Sequence, residues 1–544
     1  MRAYPRASST SHTVGSYAAM SSGPFPPEAE ARPELADVGR LARRIVRQVV
    51  TTARAEDTSV RRLLADHLGG SAATLPVARG AWPRYDHVNV QAGLDAWLAE
   101  PGIEHEVRGL TGFHHTMFGL ADLAQPGARH FAMGLGSVST EALPAGPGGV
   151  TRACVSCALY LVTSPEGPLV LLVRGPEEHG PSEDVTVEVA CADAARGQSV
   201  VAEIRRLAVA HNVFRGHVTS FDDEVFRHHR GGLMSFLDRP QVSREQVILP
   251  AEVLDGIERQ VLGVARHAGR LLASGQHLKR GVLLYGAPGT GKTHTIRYLL
   301  SELSELTVVV VSGRALGMIA EACSVARTLQ PSMVVVEDVD LIAEERDYGM
   351  GQHPLLFQLL NEMDGLAEDL DVTFLLTTNR ADLLEPALAQ RPGRVDHASL
   401  LPMPDADARL RLLRLYQGNL LLDLADPDAV ISRTEGVTAS FMKELLRRAA
   451  LRAADETSDE TGDETSDGTG DGTSGPIRVT DAHLAAALDQ LLDANNQLTR
   501  VLLGGGGSGP AVSRRGQMRQ HRGGYLGGPA DAGEVDGAAD DPQA

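Results

Sequence analysis

The chain holds 544 residues, with 70 acidic against 51 basic side chains and a formal net charge of −19. That length predicts two to four domains at roughly 100–200 residues each, and a 43% hydrophobic fraction excludes a wholly disordered chain. The acidity disfavours nucleic acid as a partner, because phosphate contacts need a basic surface. Four cysteines are too few for a disulfide framework, and no apolar run approaches the ~20 residues of a membrane span. With no secretory signal at the start, a soluble cytoplasmic protein is expected.

Residues 1–34 are rich in Ser, Pro, Ala and Gly, a composition that predicts disorder. Leu35, Val38, Leu41, Ile45, Val46 and Val49 then recur at helical spacing, so an amphipathic helical segment is expected over 35–69. An α/β amino-terminal domain is expected over 82–239. Within it, Cys154–Val162 and Leu169–Val173 read as strands of a hairpin about Ser164-Pro165-Glu166-Gly167, Asp184–Ala190 as a strand, and Val200–His211 as a helix. From about Val247 the runs Gly281–Tyr285, Thr307–Val311, Met333–Val336 and Val372–Thr377 alternate with helical patterns. Such alternation predicts a parallel sheet covered on both faces, over 247–404. A helical region over 405–500 follows, marked by Leu410, Leu412, Leu413, Leu415, Phe441, Leu445 and Leu446 and by a last helix over Thr480–Leu492. It is interrupted at 455–476 by an acidic, Thr/Ser/Gly-rich stretch that reads as a solvated insertion. The Gly-rich tail, 504–544, again predicts disorder.

The strongest chemical signal is Gly286-Ala287-Pro288-Gly289-Thr290-Gly291-Lys292-Thr293, directly after one apolar run and before a helical pattern. This is the P-loop pattern in its strand–loop–helix setting. Its glycines let backbone N–H groups converge on phosphate oxygens, and the helix start adds a favourable dipole. Lys292, one of only three lysines, would reach the β- and γ-phosphates of ATP, and the Thr293 hydroxyl would hold Mg²⁺. Met333–Val336 ends in Glu337-Asp338, so one acid can serve the hydrated metal while the other polarises water. Asn379, at the end of another apolar run, could orient the same water; an ordinary strand-terminal turn is the competing reading.

Taken together, Gly286–Thr293, Glu337-Asp338, Asn361-Glu362-Met363-Asp364-Gly365, Thr378-Asn379-Arg380 and Arg391-Pro392-Gly393-Arg394-Val395-Asp396 resemble the AAA ATPases in order and spacing. The resemblance covers roughly Val247–Leu451 and includes the ATPase modules of the membrane proteases and Bcs1-like members. It implies a nucleotide-binding P-loop α/β domain with a helical lid, Mg²⁺-dependent ATP hydrolysis, and a homo-oligomeric ring, usually a hexamer. It further implies that Arg391 and Arg394 are arginine fingers reaching a neighbouring subunit's nucleotide, and that Gly436–Phe441 is a lid region without a sensor arginine. A protein substrate, bound through the amino-terminal domain and remodelled by the ring, is the function expected. An ATP-dependent scaffold with little hydrolysis is the alternative.

Two departures from the family pattern matter. The acids stand as Glu337-Asp338 where the family usually writes Asp-Glu, as also happens in the Bcs1-like branch, which leaves their division of labour open. The aromatic pore loop of the unfoldases is missing between Gly313 and Gln330, with Gly317-Met318-Ile319 the nearest substitute. The zinc motif of the related membrane proteases needs a second histidine, which His105-Glu106-Val107-Arg108-Gly109 lacks, so no protease site is expected. Cys154-Val155-Ser156-Cys157 lies inside a strand, where its thiols point to opposite faces. Those cysteines, and the pairs His114-His115 and His228-His229, read as structural or solvated residues.

Overall fold

In a computed structural model of the chain, the structure describes residues 60–492 except 71, 112–117, 126–133, 177–183, 222–233, 341–353, 366, 368, 383–393 and 461–475. The expectations for 1–34, most of the helical segment 35–69, the two histidine pairs, Arg391 and the tail lie outside the described residues. Two compact units emerge: 1–239 with 305–335 and 370–372, and 240–304 with 336–369 and 373–544.

The first sheet is antiparallel and uses the first seven strands among the described residues. They are β1 Val77–Trp82, β2 Glu104–Thr111, β3 Gly134–Gly136, β4 Ser139–Gly146, β5 Val150–Ser164, β6 Gly167–Arg174 and β7 Val185–Ala190. Their order is β1-β7-β6-β5-β2-β3, with β4 paired to β5. The expected hairpin is β5–β6, closed where Ser164 faces Gly167. Strand β5 reads as a continuous apolar run because both its faces are covered. Ala158, Tyr160 and Val162 pack under the helices His87–Leu98 and Ala194–Ala210. Cys157, Leu159 and Leu161 pack with Val60, Leu64, Leu120 and Leu123. The two helices approach so closely that a Cβ on Gly93 would stand 2.5 Å from the Ala208 backbone nitrogen. Only glycine fits there. Asp193 caps the second helix by accepting from the Ala195 N–H at 3.0 Å, which starts it ahead of the expected Val200.

His87 sets an acid limit on this core. Its Nε2–H donates to the Val155 carbonyl at 3.0 Å, while Nδ1 is buried without a partner. Burial pushes the imidazole pKa from 6.5 down to about 4. Because the folded pKa lies below the unfolded one, the stabilisation is complete above pH 6.5 and is lost as pH falls toward 4. The loss should reach up to about 3 kcal/mol. Both tryptophans, Trp82 and Trp97, pack in this core, so denaturant titrations followed by tryptophan fluorescence will read it. A His87→Gln variant, which can donate but cannot titrate, should flatten the pH dependence.

The second sheet takes the next seven strands: β8 Val218–Phe221, β9 Met234–Leu237, β10 Arg280–Tyr285, β11 Thr307–Val311, β12 Ser332–Val336, β13 Val372–Thr378 and β14 His397–Leu400. Their order is β14-β10-β13-β12-β11-β8-β9. Strand β10 runs parallel to both β13 and β14, and β8 runs parallel to β11. The four expected β runs are β10–β13, in the parallel α/β arrangement their apolar composition called for. Strands β8 and β9, at the end of the segment 82–239 and within the first unit, are hydrogen-bonded into this sheet beside β11. Each spans four residues, too few to show a period.

The carboxy-terminal helices are Ala406–Tyr416, Pro427–Arg433, Ala439–Glu460 and Asp481–Leu492, with the short pair β15 Leu421–Asp423 and β16 Arg478–Thr480. Leu412, Phe441, Leu445, Leu484 and Leu488 form their core. Asp405 and Asp426 cap the first two helices by accepting from the Ala408 and Ala429 N–H groups. The third helix extends six residues into the acidic stretch, to Glu460, where Glu456 pairs with His483 at 2.7 Å; the rest of the stretch, 461–475, lies outside the described residues. No helix among the described residues is long and apolar enough to cross a membrane.

Candidate functional site

Every described residue of the candidate site lies in the second unit. The loop leaves β10 at Gly286 and enters the helix Lys292–Glu302. Gly289 and Gly291 hold φ of +81° and +102°, and a Cβ on Gly289 would stand 2.9 Å from the Thr438 and Ser440 hydroxyls. Both conditions select glycine. The Ser440 N–H donates to the Gly289 carbonyl at 3.2 Å, so the start of the third carboxy-terminal helix touches the loop. The Thr290 hydroxyl donates to the Ala287 carbonyl at 2.9 Å and tightens the turn.

Lys292 is 7% exposed. Its Nζ donates to the Gly286 and Ala287 carbonyls at 2.9 and 3.0 Å, across the mouth of the loop. Burial lowers its pKa from the usual 10.5, while the negative charges of Asp338 and Asp340 oppose that shift. A desolvated cation facing two acids is set to exchange carbonyl partners for phosphate oxygens. Thr293, at the second position of the helix, is exposed.

Glu337 and Asp338 follow β12. The Glu337 Oε1 is buried and has no hydrogen-bond partner, an unmet acceptor of the kind a hydrated cation satisfies. That orphan and the exposed Thr293 hydroxyl fit Mg²⁺. Asp338 is exposed and has φ +53°, the one positive value outside glycine among the described residues. Its N–H donates to Thr377 Oγ1 at 3.1 Å, and its Oδ1 accepts from Asn379 Nδ2 at 3.2 Å. Asp340, absent from the sequence reading, accepts from Thr378 Oγ1 at 2.8 Å and from the Asn379 N–H at 3.2 Å. Its signal was a second Asp two positions beyond Asp338, on the opposite side of Val339.

Of the basic motif, Arg394 is described and Arg391 is not. Arg394 is 6% exposed, and its Nη2 donates to Asp364 of the same chain. Asp396 fixes β14 beside β10 by accepting from the Gly281 N–H at 2.9 Å. In the segment Gly313–Met318, Ala315 and Leu316 are buried, and Ile319 is 0% exposed. Ile319 therefore presents no side chain to a threaded polypeptide. Cys154 and Cys157 are both buried, and burial pushes the Cys154 thiol up to about 12. His105 and Glu106 are exposed residues of β2.

A parallel sheet, a glycine-rich phosphate loop entering a helix, and paired acids at the end of a neighbouring strand define a P-loop nucleotide-binding fold. Residues 282–403 match the ATPase family associated with various cellular activities (AAA), and the chain carries an AAA module. It is 30% identical over 249 residues to the ATP-dependent zinc metalloprotease FtsH of Cutibacterium acnes, covering 41% of this chain and 34% of that protein. Against FtsH of Nitrosococcus oceani it is 33% identical over 209 residues, covering 36% and 32%. Against the human ATPase family gene 2 protein homolog A it is 31% identical over 229 residues, covering 40% and 25%. The chain thus spans about a third or less of each of these relatives.

Proposed function

We propose that the protein binds ATP and hydrolyses it with Mg²⁺, and that it does so in a homo-oligomeric ring, a hexamer, that remodels a protein bound through the amino-terminal domain. The observation that carries the catalytic part is Lys292, buried at the loop mouth between two carbonyls and facing the charges of Asp338 and Asp340. Residues Gly286–Thr293 would wrap the phosphates with backbone N–H groups, and Lys292 would neutralise the β- and γ-oxygens. Mg²⁺, held by Thr293 and the Glu337 side, would supply Lewis-acid polarisation of the γ-phosphate. Asp338, aligned by Asn379, would orient the attacking water and draw its proton.

Arg391 and Arg394 enter this reading unequally. The internal pair with Asp364 favours Arg394 as a strut of its own subunit, which leaves Arg391 as the finger for a neighbour's nucleotide. The lack of an aromatic residue between Gly313 and Gln330, together with the burial of Ile319, favours remodelling without tight threading.

The test is steady-state phosphate release as a function of protein concentration, for the wild type, Arg391→Ala and Arg394→Ala. Specific activity that rises with concentration and collapses in Arg391→Ala, with its melting temperature intact, is expected. Arg394→Ala should lose about 1–3 kcal/mol of stability, less than a fully buried pair would because Asp364 is half exposed. Activity independent of concentration and of both arginines would remove the shared-site ring. ATP binding without turnover would leave the scaffold.

A further inference from the structure

In the chemistry above Asp340 acts only as a charge felt by Lys292, yet its buried carboxylate sits at the junction between the two strands that carry the acids and Asn379. It is 7% exposed, and Thr377 and Thr378 are 2% and 0% exposed. Its Oδ1 accepts two hydrogen bonds, from the Thr378 hydroxyl at 2.8 Å and the Asn379 backbone N–H at 3.2 Å. The same Thr378 hydroxyl accepts from the Arg380 N–H at 2.9 Å, so three consecutive residues, Thr378 to Arg380, are tied to one carboxylate. The chain returns on the other side: the Asp338 N–H donates to Thr377 Oγ1 at 3.1 Å, and Asn379 Nδ2 reaches Asp338 Oδ1 at 3.2 Å.

We propose that Asp340 is a positioning residue for hydrolysis, holding the Thr378–Arg380 turn so that the Asn379 amide stays aimed at the Asp338 carboxylate. The inference rests on the ATPase reading above. An asparagine in an exposed strand-terminal turn is free to change rotamer and backbone angles. Asp338 itself holds a left-handed backbone, which persists only where neighbouring contacts over-determine it. The bonds through Asp340, Thr378 and Thr377 supply those contacts from buried groups, where water does not compete. Asp340 touches neither phosphate nor water in this scheme; it acts through Asn379 and Asp338. What it requires of its own side chain is an acceptor oxygen, which an amide also has.

The experiment uses the full chain and compares Asp340→Ala, Asp340→Asn, Thr378→Val and Thr378→Ser with the wild type. The readouts are kcat and KM for ATP, affinity for a fluorescent ATP analogue, and melting temperature. Asp340→Ala and Thr378→Val should lower kcat by about 10- to 100-fold, the scale of a misplaced catalytic group. Analogue affinity and KM should stay within about threefold. Asp340→Asn and Thr378→Ser, which keep an acceptor and a hydroxyl, should restore most of kcat. Unchanged kcat in Asp340→Ala would overturn the proposal. Analogue affinity falling in step with kcat would also overturn it, since that pattern marks a structural clasp alone. If Asp340→Ala does not fold, the Thr378 pair decides on the same criteria. Absence of turnover in the wild type would overturn the ATPase reading and this inference together, whereas wild-type turnover with an insensitive Asp340 and Thr378 overturns this inference only.

Discussion

Replacing Lys292 with alanine is expected to weaken ATP binding by about 100-fold or more and to remove detectable hydrolysis. Truncating one partner of a buried, hydrogen-bonded charge pair costs about 2–5 kcal/mol, and about 2.7 kcal/mol is a factor of 100. Lys292 is the cation whose ammonium crosses the loop mouth, bonded to the Gly286 and Ala287 carbonyls. Losing it removes the positive charge between phosphate and the exposed carboxylate of Asp338. Lys292→Arg should rescue little, because a planar fork cannot replace a point charge in a loop that already encloses the Nζ. Titration with a fluorescent ATP analogue checks the binding and phosphate release checks the turnover. Unchanged affinity in Lys292→Ala would mean that the loop is not the phosphate site.

The second large effect separates the two adjacent acids. Asp338→Asn should cut kcat by about 10²–10⁴-fold, the range of a lost general base, while ATP remains bound. Glu337→Gln should instead raise the Mg²⁺ concentration needed for half-maximal turnover by about tenfold, the lower range for a lost group around a metal. The assignment follows from geometry. Asp338 is the exposed acid, and its Oδ1 is aligned by the Asn379 amide. Glu337 has the longer side chain and a buried Oε1 with no donor. Mg²⁺ titrations of turnover in both variants are decisive, and the reverse pattern would exchange the two roles.

Much of this site was legible because its chemistry is local in the chain. The loop from Gly286 to Thr293 is one uninterrupted turn between a strand and a helix, so spacing alone specifies which N–H groups can converge. Glu337 and Asp338 end a run of buried valines, and Asn379 ends another such strand. In a parallel sheet, strands of this kind deliver their carboxy-terminal residues to the same edge. The apolar runs of β10–β13 announced themselves for the same reason, since burial on both faces removes the polar alternation.

What stayed hidden depends on contacts between residues far apart in the chain. Thr378 and Asp340 are 38 positions apart, and either residue alone reads as an ordinary turn polar group. Asp364 and Arg394 lie 30 positions apart; without that pairing, the arginine reads as a projecting charge. Strands β8 and β9 carry too few residues to declare a partner, and only hydrogen bonding to β11 places β8 in the second sheet. The sequence by itself therefore determined the parallel α/β class and the phosphate loop, because short-range sterics and strand burial are written in consecutive residues. The tertiary structure alone decided how the acids are held, that Arg394 is sequestered and where the extra strands go. Those outcomes depend on burial, which makes a hydrogen bond or ion pair between distant residues costly to leave unmade.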